Sequence, residues 1–175
     1  MKKILGLVLS LTIIAGICAA VLAYVNGLTA GPIAEMQVKK AQEAAKAVMP
    51  AGVATLEKAA QGDVEYYVGK SASGEILGYA VTGSDPGGYG GDVVLMVGFE
   101  ADKKTVVCYK TLAASETPGL GMKLNTPEFS SQFAGKAADA LKVRKDGGEI
   151  DAITSATITS RAVCGAIQAA AKVIN

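Results

Sequence analysis

The sequence has no histidine and no tryptophan, and only 5% of its 175 residues are aromatic. Without imidazole, this chain has no histidine general base, haem ligand or zinc ligand. Cysteine is scarce as well: Cys18, Cys108 and Cys164 are too far apart for a CxxC metal or redox motif, which argues against iron–sulfur ligation by this chain alone. All three read as structural thiols, with a Cys108–Cys164 disulfide as the alternative. Charge of one sign is also lacking, since 17 basic residues face 16 acidic ones. With no basic run interleaved with aromatics, the pattern argues against a nucleic-acid partner. Any chemistry must therefore use another group or a bound cofactor.

Apolar residues make up 50% of the chain, mostly as Ala, Val, Ile and Leu, and part of that content forms one long run. No charged residue occurs from Ile4 to Ala34, and Ile4 to Tyr24 alone reaches the ~20 residues that a helix needs to cross hydrocarbon. This predicts a retained membrane anchor. Lys2 and Lys3 flank it on one side and Glu35 lies well beyond the other, so the positive-inside tendency puts the N-terminus in the cytoplasm of a single-pass inner-membrane protein. The body of the chain would then face outward. A cleaved signal peptide ending near Ala20–Ala23 is the competing reading, but its apolar run would be too long. A lipoprotein reading through Cys18 meets Ile17 where processing wants a small residue.

Asn26, Gly27, Gly31 and Pro32 suggest a break, after which Ile33 to Met49 reads as a helix stopped by Pro50. Lys39, Lys40, Glu43 and Lys46 form its solvated face. Val64–Lys70 and Glu75–Gly83, joined by Ser71–Gly74, carry a hairpin signature. Val93–Phe99 and Thr105–Leu112 repeat it around Glu100–Lys104. A short helix is expected at Glu128–Phe133, a short strand at Leu141–Arg144, and a closing helix at Ser160–Val173 with Ser160 as N-cap. That helix would bury Val163, Ile167, Ala170 and Ile174. The expected organisation is an anchor at 1–30, a linker helix at 31–50 and one domain at 51–175. Its class is α+β, an antiparallel sheet with flanking helices.

The strongest local signal is Asp151-Ala152-Ile153-Thr154-Ser155-Ala156-Thr157-Ile158-Thr159-Ser160, a hydroxyl-rich loop that enters the closing helix. A helix start offers unpaired N–H groups and the positive end of a dipole, which suits a phosphate. A threonine hydroxyl there can be esterified by a nucleotide phosphate, leaving redox chemistry to the cofactor. The pattern resembles the Asp-x-x-Ser/Thr-Gly-Ala-Thr motif of the FMN-binding domain shared by two subunits. These are the G subunit of the Rnf complex and the C subunit of the sodium-translocating NADH:quinone reductase. In that family a flavin transferase esterifies FMN to the last threonine. The resemblance implies Thr157 as acceptor, with Asp151, Thr154 and Ala156 as motif partners. Ser155 stands where the family has Gly. If that position needs a positive φ, Ser costs about 1 kcal/mol there.

Glu116-Thr117-Pro118-Gly119-Leu120-Gly121 also resembles a loop of this family, and Glu116, Thr117, Gly119, Leu120 and Gly121 are expected to contact the isoalloxazine. Pro118 stiffens the loop, and the glycines allow close backbone approach. Gly87-Gly88-Tyr89-Gly90-Gly91 reads equally as a tight turn or a cofactor contact; it is no dinucleotide fingerprint. Lys142 is the expected phosphate neutraliser, with Arg144 and Lys145 nearby.

The resemblance covers nearly the whole chain, and the short length favours the G subunit of Rnf. It implies covalent FMN that relays electrons between ferredoxin and NAD in an ion-translocating complex, with membrane and cytoplasmic subunits as partners. The alternatives are a C-type quinone-reductase subunit or related extracellular flavin reductase, and a non-redox membrane-anchored binding module.

Overall fold

The structure, a computed structural model, describes residues 2–61 and 64–175, and of Lys2 and Lys3 only the backbone. Helix α1 runs unbroken from Lys2 to Val48 with Pro32 inside it, so the expected break at Asn26–Pro32 does not occur. Proline removes one donor but leaves the helical bonds of its neighbours in place, so helix is retained on both sides. The apolar stretch of α1 is long enough to cross a membrane, and none of it is buried. Two compact units divide the chain at Lys40 and Ala41. Ala44, Ala45 and Val48 belong to the core of the second unit.

Five strands form one antiparallel sheet in sequence order: β1 (Thr55–Gln61), β2 (Val64–Lys70), β3 (Ile76–Gly88), β4 (Gly91–Glu100) and β5 (Val106–Ala113). Both expected hairpins are present. The first turns at Gly74, φ +86°, where the Ser71 N–H donates to the Glu75 carbonyl at 2.8 Å. In the second, the Asp102 carboxylate accepts the Thr105 hydroxyl and the N–H groups of Lys104 and Thr105. Those bonds, the hydroxyl's foremost, hold its carboxyl below the usual carboxylate range.

Period-two alternation divides the sheet residues between two cores. Tyr79, Val81, Val93, Leu95, Val97 and Phe99 face one side, where the closing helix α3 (Thr157–Ile174) covers them with Val163, Ile167, Ala170 and Ile174. Ala80 and Met96 face the other side and meet Ala44, Ala45 and Val48. Two glycines permit these close seatings. A side chain at Gly83 would strike the Ala166 carbonyl of α3, and one at Gly98 the Val48 carbonyl of α1.

Between β5 and α3 lie the short helix α2 (Pro127–Ser130), extended by a 3-10 turn to Phe133, and further 3-10 turns. The strand expected at Leu141–Arg144 is reduced to one bridge, Val143 to Ile150, because the chain coils into a 3-10 turn at Arg144–Asp146. The two central cysteines are free: Cys164 sits in the α3 core and Cys108 packs against the opposite cluster. The sheet separates them, which rules out the disulfide. Burial pushes both thiols up, that of Cys164 to about 12, so neither is a ready nucleophile.

Gly98→Ala forces a methyl against the Val48 carbonyl and is expected to destabilise the domain by about 2 kcal/mol, in the range of overpacked cores. Denaturant unfolding of the detergent-solubilised chain measures it. An unchanged midpoint would refute the close seating at that position.

Candidate functional site

The closing helix begins three residues earlier than the sequence suggests. Ala156 is the N-cap and makes no side-chain cap bond, while Ser160 lies inside the first turn. Being buried, the Ser160 hydroxyl serves the loop instead: it accepts the Ile153 N–H at 2.9 Å and donates to the Ala156 carbonyl at 2.9 Å. The Ser160 N–H donates to the Ala156 carbonyl at 3.0 Å, and it is the first N–H of the helix with a backbone acceptor. The N–H groups of Thr157, Ile158 and Thr159 have none among the described residues. These donors and the dipole end make the start of α3 suited to a phosphate.

Ser155, directly before the cap, has φ +62°. The position does need the left-handed region, and the chain meets that need with serine.

A cleft of about 520 Å³ opens beside this helix start, within the size range of small-molecule sites. One wall is Ser155, Ala156, Thr157, Ile158 and Thr159; the other is Glu116, Thr117, Leu120 and Gly121, with Tyr89 at the rim. The two motifs therefore converge, although 30 or more residues separate them. Leu120, Ile158 and Tyr89 supply exposed apolar surface, Tyr89 being 72% exposed. Gly119 lies outside the lining, and its φ of +76° turns the loop.

At the junction of the walls, Glu116 is buried at 6% exposure. Its Oε2 accepts the Thr159 hydroxyl at 2.7 Å, and its Oε1 accepts the Gly90 N–H at 3.3 Å. Gly87–Gly91 is thus both a turn and a neighbour of the cleft. At Gly90 a side chain would collide with the Ser115 carbonyl.

The remaining predicted residues lie elsewhere. Asp151 and Thr154 line a separate hollow of about 150 Å³ with Gln132. Asp151 pairs with Arg144 at 2.5 Å, and its N–H donates to Gln132 Oε1 at 2.8 Å. Lys142 is exposed and lines other surface hollows, away from the cleft. Lys145 is the cation beside the acceptor, its Nζ 3.5 Å from Thr157 Oγ1. The sequence named Lys145 and the Tyr89 segment without selecting either one; only the fold of the 3-10 turn and the β3–β4 turn distinguishes them. No metal-binding cluster is present among the described residues.

Residues 88–172 match the FMN-binding domain family, which defines the class of protein. The particular family follows from full-length relatives. The G subunit of the ion-translocating oxidoreductase complex of Methanosarcina acetivorans is 32% identical, with 97% of this chain and 93% of that protein covered. The G subunit of the Na(+)-translocating ferredoxin:NAD(+) oxidoreductase complex of Acetobacterium woodii is 34% identical, with 95% and 89% covered. The chain belongs to this family of G subunits. Its fold is shared with the crystal structure of Shewanella oneidensis NqrC, at TM-score 0.53 and 20% identity, covering 67% of this chain and 64% of that one.

Ser155→Gly removes a left-handed penalty of about 1 kcal/mol and returns part of it as unfolded-state entropy, so a net gain of about 0.5 kcal/mol is expected. Ser155→Val, β-branched, is expected to lose more than that. Unfolding midpoints in the opposite order would contradict the strained loop.

Proposed function

We propose that this chain is the membrane-anchored electron-transfer subunit of an ion-translocating ferredoxin:NAD oxidoreductase (Rnf) complex and carries FMN esterified through its phosphate to Thr157. The observation that supports this best is the Thr157 hydroxyl on the first residue of α3, beside three N–H groups without backbone acceptors and at the edge of the cleft. A phosphodiester there would receive those N–H groups as donors and the Lys145 ammonium as counter-charge. Thr117, Leu120 and Gly121 are suited to contact the flat ring, and Asp151, Thr154 and Ala156 complete the acceptor motif. Lys142, directed elsewhere, takes no part in this reading. When bound, FMN supplies one- and two-electron chemistry; the protein supplies attachment, orientation and electrostatics.

Maturation would require a flavin transferase: among the described residues, the side chain that hydrogen-bonds the Thr157 hydroxyl is the Lys145 ammonium, a donor and not a base. The relatives named as G subunits support other complex subunits as partners. Orientation follows from Lys2 and Lys3, which the positive-inside tendency keeps in the cytoplasm, so α1 would deliver the flavin domain to the outer face. Electrons would then cross the bilayer and return through partner subunits, and charge moving against the membrane potential offers the coupling to ions.

Thr157→Ala is expected to abolish covalent flavin, read as in-gel fluorescence after denaturation, while melting remains within about 0.5 kcal/mol of the parent, as for a surface substitution. A fluorescent band that persists would reassign the acceptor.

Sidedness has its own test at Ser73, exposed in the β2–β3 turn. In a cysteine-free background, Ser73→Cys is expected to react with a membrane-impermeant maleimide in spheroplasts. Labelling only after lysis would put the domain in the cytoplasm.

A further inference from the structure

Among the described residues, Glu116 is the one charged side chain that is buried, and no Lys or Arg forms an ion pair with it. Both of its oxygens act as acceptors, one for the Thr159 hydroxyl and one for the Gly90 N–H, the pattern of an ionised carboxylate. The same oxygens crowd the backbone on either side. A side chain on Gly121 would come to 2.5 Å of Oε2, and one on Gly88 to 2.7 Å of Oε1. One carboxylate thus ties together the β3–β4 turn, the Glu116–Gly121 loop and the first turn of α3.

We infer that Glu116 positions and tunes the cleft: it locks three loops around the cofactor, and its negative charge holds the cofactor's reduction potential down. The inference rests on the FMN reading above. The carboxylate serves these loops as a double acceptor: a neutral amide of the same shape could take the Thr159 hydroxyl on its carbonyl, but its NH2 would then face the Gly90 N–H. What the amide also lacks is the field. In a cleft wall shielded from water, a full negative charge is weakly screened and opposes the arrival of further negative charge. Tyr89, Leu120 and Ile158 add apolar surface at the mouth, which keeps that field strong. Thr159 has the opposite effect, since its hydroxyl dipole points at the carboxylate and partly offsets it.

The test uses the full-length chain, expressed with a flavin transferase and solubilised in detergent, with the variants Glu116→Gln and Thr159→Val. In-gel fluorescence comes first, and a parent chain without flavin would defeat the FMN reading itself. Spectroelectrochemical titration of the loaded proteins follows. Glu116→Gln is expected to load as the parent does, to melt somewhat lower because its NH2 faces the Gly90 N–H, and to shift the midpoint potential positive. Thr159→Val keeps the charge but removes the offsetting dipole, so it is expected to shift the potential negative. A purely structural tie moves melting temperatures and leaves the potential in place. A loaded Glu116→Gln protein at the parent potential would overturn the inference, as would a folded Glu116→Gln protein that acquires no flavin.

Discussion

The buried Ser160 hydroxyl fixes where α3 begins, and the rest of the cleft depends on that. It joins the Ile153 N–H to the Ala156 carbonyl, both at 2.9 Å, and so folds the incoming loop back over the first turn. Thr157 then becomes the first helical residue, and three N–H groups in a row face away from any backbone acceptor. An ordinary serine N-cap would have consumed one of them. Here the cap position is Ala156, which has no side-chain acceptor, and the donors stay available. The arrangement costs stability twice, through unmet donors at the helix start and through φ +62° at Ser155.

Packing offsets those costs away from the cleft. Val163, Ile167, Ala170 and Ile174 are at most 2% exposed, and each of the larger side chains contributes on the order of 2 kcal/mol when fully buried. Gly83 lets the helix backbone settle directly on β3. The second half of α3 is therefore held by the core while its first turn is left to the site. Anchored in this way, the first turn presents Thr157 in one orientation, as the proposed acceptor role would require.

The antiparallel hairpins, the α3 stripe and the two motifs that line the cleft were legible in the sequence, because period two, period 3.6 and turn chemistry act locally. Strand β1 was not. Thr55–Gln61 is an edge strand whose residues are mostly exposed, so it carries no apolar alternation. Its charged residues pair diagonally with β2, Lys58 with Glu65 and Glu57 with Lys70, and such pairs are visible only once the register is known. The start of α3 was misread at Ser160 because a serine at a helix entry looks like a cap whether it faces the N–H groups or the interior. Burial decides between the two, and a single sequence does not give burial there. Lys142 and Lys145 differ by less than one helical turn in sequence, and only the 3-10 turn at Arg144–Asp146 separates their directions.

Covalent attachment suits the shape of this site. A small-molecule pocket commonly encloses most of its ligand, and affinity comes from that enclosure. Here the rim is open: Tyr89 is 72% exposed, Ile158 46% and Leu120 42%, and one whole wall is the first turn of a single helix with the residues just before it. Contacts alone would hold a ligand loosely. Deepening the cleft would secure the ligand but bury the ring, and electron exchange with partner proteins falls off as the ring is buried. On the proposed reading, a phosphoester to Thr157 separates the two demands. The bond to the helix start retains the cofactor whatever the affinity of the cleft, and the walls are then free to serve orientation and field, leaving one edge of the ring open to its partners.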